Sequence, residues 1–97
     1  MFSTLRVVGP SMEPTLASGD LVLVLKTRRI RPGQVLVVEH PDRPDLLVIK
    51  RCRQVLGDGS AWIEGDHPAM SDDSRKFGAV SPDRIRGRVL MRVVSAR

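Results

Sequence analysis

The stretch "LLVIKRCRQVL" (residues 46–56) is the longest of five short runs rich in leucine and β-branched residues. The other four are "LVLVL" (21–25), "QVLVVEH" (34–40), "AWIEG" (61–65) and "RGRVLMRVV" (86–94). Such runs are typical of β-strands, and no stretch predicts an amphipathic helix longer than a turn or two. We therefore expect strands to dominate the fold.

Turn-forming residues separate these runs at short, fairly regular intervals. The segments are "ASGD" (17–20), "RPGQ" (31–34), "HPDRPD" (40–45), "GDGS" (57–60) and "DHPAMSDDS" (66–74). Several strands joined by tight turns favour an all-β protein with a compact, mostly antiparallel sheet.

Length and composition predict a single domain over residues 1–97, with a real but modest core. One cysteine excludes an internal disulfide. The longest apolar stretches, about five residues, are far below the roughly 18 that a membrane-spanning helix needs. The opening "MFSTLRVVGP" also lacks the features of a signal peptide. We therefore expect a soluble, cytoplasmic protein with no integral membrane segment.

The net charge is +5 and the isoelectric point is near 10.7, which raises the question of nucleic-acid binding. The basic residues are spread along the chain, and "KTRRIR" (26–31) is the only dense cluster. Phe2, Trp62 and Phe77 are the only aromatic residues apart from the histidines, too few for a stacking surface. We expect no nucleic-acid partner, whereas an acidic partner or substrate stays compatible with the charge.

Lys50 occupies an unusual place in the strand pattern. Alternate residues of a strand share a face, so Lys50 is the one charged group beside Leu46, Val48 and Cys52. Burial there would lower the pKa of the amine and make it a general base, although a lysine can also extend its stem back to water. A base is what Ser11 would need to act as a nucleophile. His40 and His67 remain alternative bases at this point.

Three motifs, taken in order, resemble the conserved boxes of the signal peptidase I family of Ser–Lys proteases. They are "GPSMEPTLASGD" (9–20), "VIKRC" (48–52) and "EGDHPAMSDDSRKFGAV" (64–80). The first box is shared with the self-cleaving LexA-type repressors, and the last is more specific to the peptidases. The resemblance implies the catalytic-core fold common to signal peptidases and LexA.

The resemblance also implies a role for each matching residue. Ser11 would be the nucleophile and Lys50 the general base, with the backbone N–H of Ser11 meeting the oxyanion. The supporting positions are Ser71, which would hold the lysine amine; Asp73 and Arg75, an ion pair; Gly65, Asp66, Ser74 and Gly78, the backbone framework; Met12 and Pro14, in the nucleophile loop; and Asp20, in the turn that follows.

Two positions depart from the family pattern. Gly9 stands where some members carry a serine hydroxyl as second oxyanion donor, and His67 stands where asparagine is usual. The chain also lacks a membrane anchor before Ser11 and the extra domain that large bacterial members insert after the lysine. In this it is most similar to the small soluble nickel-type superoxide dismutase maturation proteases, with the mitochondrial inner-membrane peptidases another near relative.

That similarity implies a serine endopeptidase that removes a short N-terminal extension from a precursor protein, so that the new terminus can ligate nickel. Any nickel would belong to the substrate. We expect no cofactor and no metal site in the enzyme itself, because His40, Cys52, Asp66 and His67 lack zinc-ligand spacing.

Two alternative functions stay open. A LexA-like domain would cleave itself, but that requires a longer segment upstream of the nucleophile than the ten residues before Ser11, so cleavage of another chain is expected. A non-catalytic binding module on the same fold is the other alternative. The sequence leaves the cleavage-site preference and the oligomeric state open.

Overall fold

A computed structural model describes residues 1–96 of the chain. Six strands form one sheet in the order β1-β2-β6-β3-β4-β5, and all neighbouring strands are antiparallel. The strands are β1 (Phe2–Arg6), β2 (Leu21–Leu25), β3 (Val35–His40), β4 (Arg43–Val55), β5 (Ala61–Glu64) and β6 (Ile85–Val94). The predicted mostly antiparallel β fold is confirmed.

Each of the five predicted runs contains a strand, and the structure adds one strand and lengthens another. β1 was not predicted, and its residues pair with β2 from Phe2↔Leu25 to Arg6↔Leu21. The predicted turn at 40–45 is shorter than expected because β4 already begins at Arg43, which pairs with His40. β1 is an edge strand whose side chains are exposed or only partly buried, so its apolar pattern is weak.

Two apolar clusters lie on opposite sides of β3, because successive side chains of a strand point to opposite faces. Leu36 and Val38 belong to a cluster with Cys52, Ala61, Ile63, Val80 and Ile85. Val37 belongs to the other cluster, with Val7, Met12, Leu16, Val22, Val24 and Ile49. Three members of the second cluster come from the segment 7–20, which we call the nucleophile loop, so its position is fixed by the core.

Within residues 1–96, helical structure is limited to single turns in the segment between β5 and β6. The helix α1 spans Ser74–Phe77, and 3₁₀ turns span Pro68–Met70 and Pro82–Arg84. The Asp73 side chain caps α1 by accepting from the Arg75 N–H. None of the helices in residues 1–96 has the length and apolar character that crossing a membrane requires.

Candidate active site

Ser11 and Lys50 are brought together although 39 residues separate them in sequence. Lys50 Nζ lies 2.6 Å from Ser11 Oγ, at hydrogen-bond distance. Ser11 belongs to the nucleophile loop, whereas Lys50 lies in the middle of β4 and is only 6% exposed. The pair lies in a groove of about 390 Å³ between the end of β1 and the first half of β4.

Burial lowers the pKa of Lys50, because removing the ammonium from water disfavours its charged form. The negative charges of Asp73 and Asp72 act in the opposite direction and offset part of this effect. Leu46 contributes less to the burial than the sequence pattern suggested, since it is 40% exposed. Leu46 lies in an irregular part of the β3–β4 pairing, between Leu47 and Arg43, and before the part of β4 that pairs with β5.

Backbone contacts hold the Ser11 segment in place. The Glu13 N–H donates to Pro10 O, the Leu16 N–H donates to Met12 O, and the His67 N–H donates to Ser11 O at 2.8 Å. Gly65 is packed so closely that a Cβ there would overlap the Ser71 side chain and lie 2.6 Å from Ser11 O. Only glycine therefore allows the segment after β5 to approach the nucleophile loop this closely.

Asp73 is the centre of a buried hydrogen-bond network and is only 1% exposed. Its carboxylate accepts from the Gly65 N–H, from Ser71 Oγ at 2.6 Å and from the Arg75 guanidinium at 2.6 and 2.9 Å. Burial alone would raise the pKa of Asp73, but these donors outweigh it and hold that pKa far below its usual range. The expected Asp73–Arg75 ion pair is therefore present in the structure.

Ser71 lies in this network, but its contact differs from the one that the resemblance implies. Its hydroxyl donates to Asp73 Oδ2, whereas Lys50 Nζ donates to Ser11 Oγ. The carboxylate is a strong acceptor for the Ser71 proton, and among the described residues the hydrogen bond of Lys50 Nζ goes to Ser11 rather than to Ser71. Ser71 thus connects Asp73 to the wall of the site formed by Gly65.

Asp66 links three parts of the site through side-chain contacts that the sequence did not reveal. It accepts from Arg51 at 2.7 and 3.2 Å and from Thr15 Oγ1 at 2.6 Å. Arg51 follows Lys50 on β4, and Thr15 lies in the nucleophile loop, so Asp66 holds the loop against the strand. The hydrogen bond from Arg51 lowers the pKa of Asp66 and keeps it ionised. In the sequence, the only indication of this Asp66 contact was an arginine directly after Lys50.

Asp20 and Gly9 shape the two ends of the nucleophile loop. Asp20 is fully buried and accepts from the Ala17 and Ala96 N–H groups and from Arg92, which ties the loop to the end of β6. Gly9 has φ +88°, a conformation that favours glycine, and its N–H donates to Ser18 Oγ. Gly9 therefore offers neither a hydroxyl nor a free amide to an oxyanion. The Ser11 N–H has no hydrogen-bond partner among residues 1–96, so it is available.

The two histidine side chains have other surroundings. His40 Nε2 lies 3.1 Å from Asp72 Oδ2, and its ring contacts Phe77. His67 contacts Ser11 through its backbone N–H, while its buried Nδ1 has no hydrogen-bond partner among the described residues. Neither ring makes a hydrogen bond to Ser11 Oγ in the structure as described. Of these three side chains, Lys50 is the one within hydrogen-bond distance of Ser11 Oγ.

Neither a reactive thiol nor a metal cluster is found among the described residues of the site. Cys52 is buried, and this burial raises the pKa of its thiol, which disfavours a reactive thiolate. The described residues contain no group of three histidine, cysteine, aspartate or glutamate side chains placed to hold a metal ion.

Comparison with known proteins agrees with the resemblance at the level of a peptidase and names a different family. The sequence profile described as "Peptidase S24-like" matches residues 2–90. Subunit 1 of the mitochondrial inner membrane protease from Xenopus tropicalis is 34% identical over 88% of this chain and 65% of its own length. The mitochondrial ATP-independent inner membrane protease subunit 1a from Arabidopsis thaliana is 36% identical over 96% of this chain and 71% of its own length. The chain thus spans about two thirds of these relatives.

These relatives correct two predictions. The cytoplasmic localisation is wrong, since the relatives, including the human protein, are named as proteases of the mitochondrial inner membrane. That prediction rested on the absence of an apolar span, which does not specify a compartment. The closer similarity to superoxide dismutase maturation proteases is also unsupported, because these relatives are named as mitochondrial inner membrane proteases.

The family profile covers nearly the whole chain, including Ser11, Lys50 and the segment around Asp73. Relatives more than 30% identical, one of them matched over 71% of its length, agree with that assignment. The six-stranded antiparallel sheet agrees with it as well. This chain belongs to the Peptidase S24-like family of peptidases.

Proposed function

We propose that the chain is a serine endopeptidase in which Ser11 is the nucleophile and Lys50 is the general base. The observation that carries the proposal is the 2.6 Å approach of Lys50 Nζ to Ser11 Oγ at a buried site. A serine hydroxyl is a weak nucleophile until a base accepts its proton. The lowered pKa of Lys50 increases the fraction of neutral amine that can do so.

The chemistry proceeds in two stages. Neutral Lys50 accepts the proton of Ser11 Oγ as that oxygen attacks the scissile carbonyl, and the Ser11 N–H stabilises the resulting oxyanion. Lys50 then gives the proton to the leaving amine, and the C–N bond breaks to leave an acyl ester on Ser11. Water, activated by the neutral lysine, hydrolyses the ester and regenerates the serine.

The substrate is proposed to be a precursor protein that loses an N-terminal segment, cleaved in trans by a single domain spanning residues 1–97. The outer edge of β4 before Arg51 is unpaired and borders the Ser11 groove, so an extended substrate segment can add there as a strand. Val8, Leu46 and Leu47 are exposed along the same groove and can contact apolar substrate side chains.

Mass measurement of the products tests this function. The chain is incubated with precursor proteins, a nickel superoxide dismutase precursor among them, and the new N-termini are identified. We expect one discrete product from a cleaved precursor and no conversion by Ser11→Ala. Shortening of the enzyme at a rate independent of its concentration would instead support LexA-like self-cleavage. Binding of precursors without any cleavage would support a non-catalytic module.

Asp72 provides a test of Lys50 as the base through the pH dependence of the rate. The rate should rise with pH as Lys50 loses its proton, because the neutral amine is the active form. The Asp72 charge raises the pKa of Lys50, so Asp72→Asn should move the midpoint of this rise to lower pH. Asp45→Asn, an exposed change at the start of β4, is the matched control and should leave the midpoint in place. A midpoint unmoved by Asp72→Asn would contradict the assignment.

Ser71→Ala tests the positioning network around Asp73. We expect kcat to fall by roughly 10- to 1000-fold, because the wall beside Ser11 loses one of its hydrogen-bonded supports. The fold should persist, with a stability loss on the order of 1 kcal/mol. Steady-state kinetics and thermal unfolding measure the two effects separately. Unchanged kcat would show that Ser71 has no positioning role.

A further inference from the structure

A second cleft lies at the opposite end of β2 from the nucleophile loop. Its volume is about 710 Å³, which is within the range of ligand-binding clefts. Leu25, Ile30 and Val55 supply its apolar surface. Four arginines also line it, namely Arg28, Arg29, Arg31 and Arg88, and no carboxylate does. The cleft therefore combines an apolar surface with a strongly positive rim.

The positive charge of this cleft is only partly offset by the chain itself, since the charge of Arg28 interacts with that of Asp83. Within residues 1–96, the arginines that form ion pairs are Arg51, Arg53, Arg75, Arg86 and Arg92. None of the four cleft arginines is among them. Unpaired like charges gathered around one cavity attract an anionic partner, because that partner relieves their mutual repulsion.

The loop that presents three of these arginines is held by hydrogen bonds. The Arg31 N–H donates to Gln34 Oε1 at 2.8 Å, and the Arg29 N–H donates to Thr27 Oγ1 at 3.0 Å. Gly33 and Gln34 also exchange backbone hydrogen bonds with Cys52 of β4. The backbone of the loop is thus ordered before any partner arrives, which lowers the entropy cost of binding.

We propose that this cleft binds an acidic peptide segment that carries at least one apolar side chain. The carboxylates would pair with the arginines, and the apolar side chain would contact Leu25 and Ile30. Nucleic acid fits less well, because no aromatic side chain lines the cleft for base stacking. A membrane surface also fits less well, because its charge lies on a broad face rather than in a segment that can enter a cleft.

The position of the cleft specifies where the acidic segment lies in a substrate. Lys50 and Val55 are five residues apart on β4, a separation of about 16 Å in a strand. An extended peptide needs at least that number of residues, because β5 pairs with β4 from Arg51 to Val55 and the peptide must pass around it. A substrate should therefore carry its acidic segment at least about five residues from the scissile bond. This step rests on the peptidase function proposed above.

Direct binding tests the cleft without requiring any cleavage. The probe is a fluorescent peptide of glutamate and aspartate with a central leucine, and its anisotropy is measured with the Ser11→Ala protein at low salt. A peptide with glutamine and asparagine at the acidic positions is the control ligand. We expect the acidic peptide alone to bind, and Arg28→Glu combined with Arg31→Glu to weaken that binding by about tenfold or more.

The control protein is Arg43→Glu combined with Lys76→Glu, which has the same net charge but changes exposed residues outside the cleft. It should bind within about twofold of the parent if the cleft, rather than total charge, attracts the peptide. Equal weakening by both double variants would overturn the proposal. Tighter binding of single-stranded DNA or anionic vesicles than of the acidic peptide, lost in the cleft variant, would also overturn it. Because Ser11→Ala protein is used throughout, the binding result does not depend on whether the peptidase assignment is right.

Discussion

Processing of a cleaved precursor should fall by about 10⁴-fold or more when Ser11 is replaced by alanine or Lys50 by methionine. Ser11→Ala removes the attacking oxygen, and Lys50→Met removes the amine that lies 2.6 Å from it. Methionine preserves most of the volume of the buried lysine stem, so the fold should remain intact. Product formation is measured by mass spectrometry, and folding by circular dichroism.

Further variants separate the base from a merely structural lysine. The double variant should lose little beyond either single one, because the two groups act as a unit. Lys50→Arg should also be inactive, since guanidinium does not give up its proton at accessible pH. Lys76→Met removes an exposed lysine outside the site and should retain activity. An active Lys50→Arg enzyme would show that Lys50 is not the base.

Asp73→Ala should give the largest loss of stability, about 3 kcal/mol or more, together with loss of processing. The substitution leaves the buried Gly65 N–H and the Ser71 hydroxyl without their acceptor and releases the Arg75 guanidinium. The wall beside Ser11 would then lose its support. The free energy of unfolding is measured by urea denaturation of the parent and the variant.

The pH dependence of the difference in unfolding free energy between the parent and Asp73→Ala tests whether the carboxylate charge causes it. The pKa of Asp73 is depressed in the folded protein, so its stabilising contribution is fully present above the ordinary carboxyl value of 3.8. It is lost as the pH falls below that value toward the folded pKa, and the gap between parent and Asp73→Ala should narrow accordingly. Asp45→Asn, an exposed control, should change the free energy by less than about 0.5 kcal/mol at neutral pH. A gap that does not narrow in acid would show that the carboxylate charge is not responsible.

Several features of this protein could be predicted from the sequence because they depend on local periodicity. Alternation along residues 46–53 placed Lys50 on the face of Val48 and Cys52, and the structure buries Lys50 and Cys52. The turn residues between the apolar runs separated the strands for a similar reason, since glycine allows a positive φ and proline fixes φ at about −65° wherever they occur. The motifs around Ser11, Lys50 and Asp73 then indicated a peptidase of the signal peptidase I type, and the comparison supports the coarser statement that the chain is a Peptidase S24-like peptidase.

Tertiary structure alone decided which side chains meet. Lys50 donates to Ser11, and Asp66 joins Arg51 to Thr15, although these residues come from separate segments. The exposed Leu46 likewise lies in an irregular part of the β3–β4 pairing, which the strand pattern did not show. A strand pattern records only whether a side chain faces the core. Which residue that side chain contacts is set by sheet register and loop packing, because these bring residues tens of positions apart within hydrogen-bond distance.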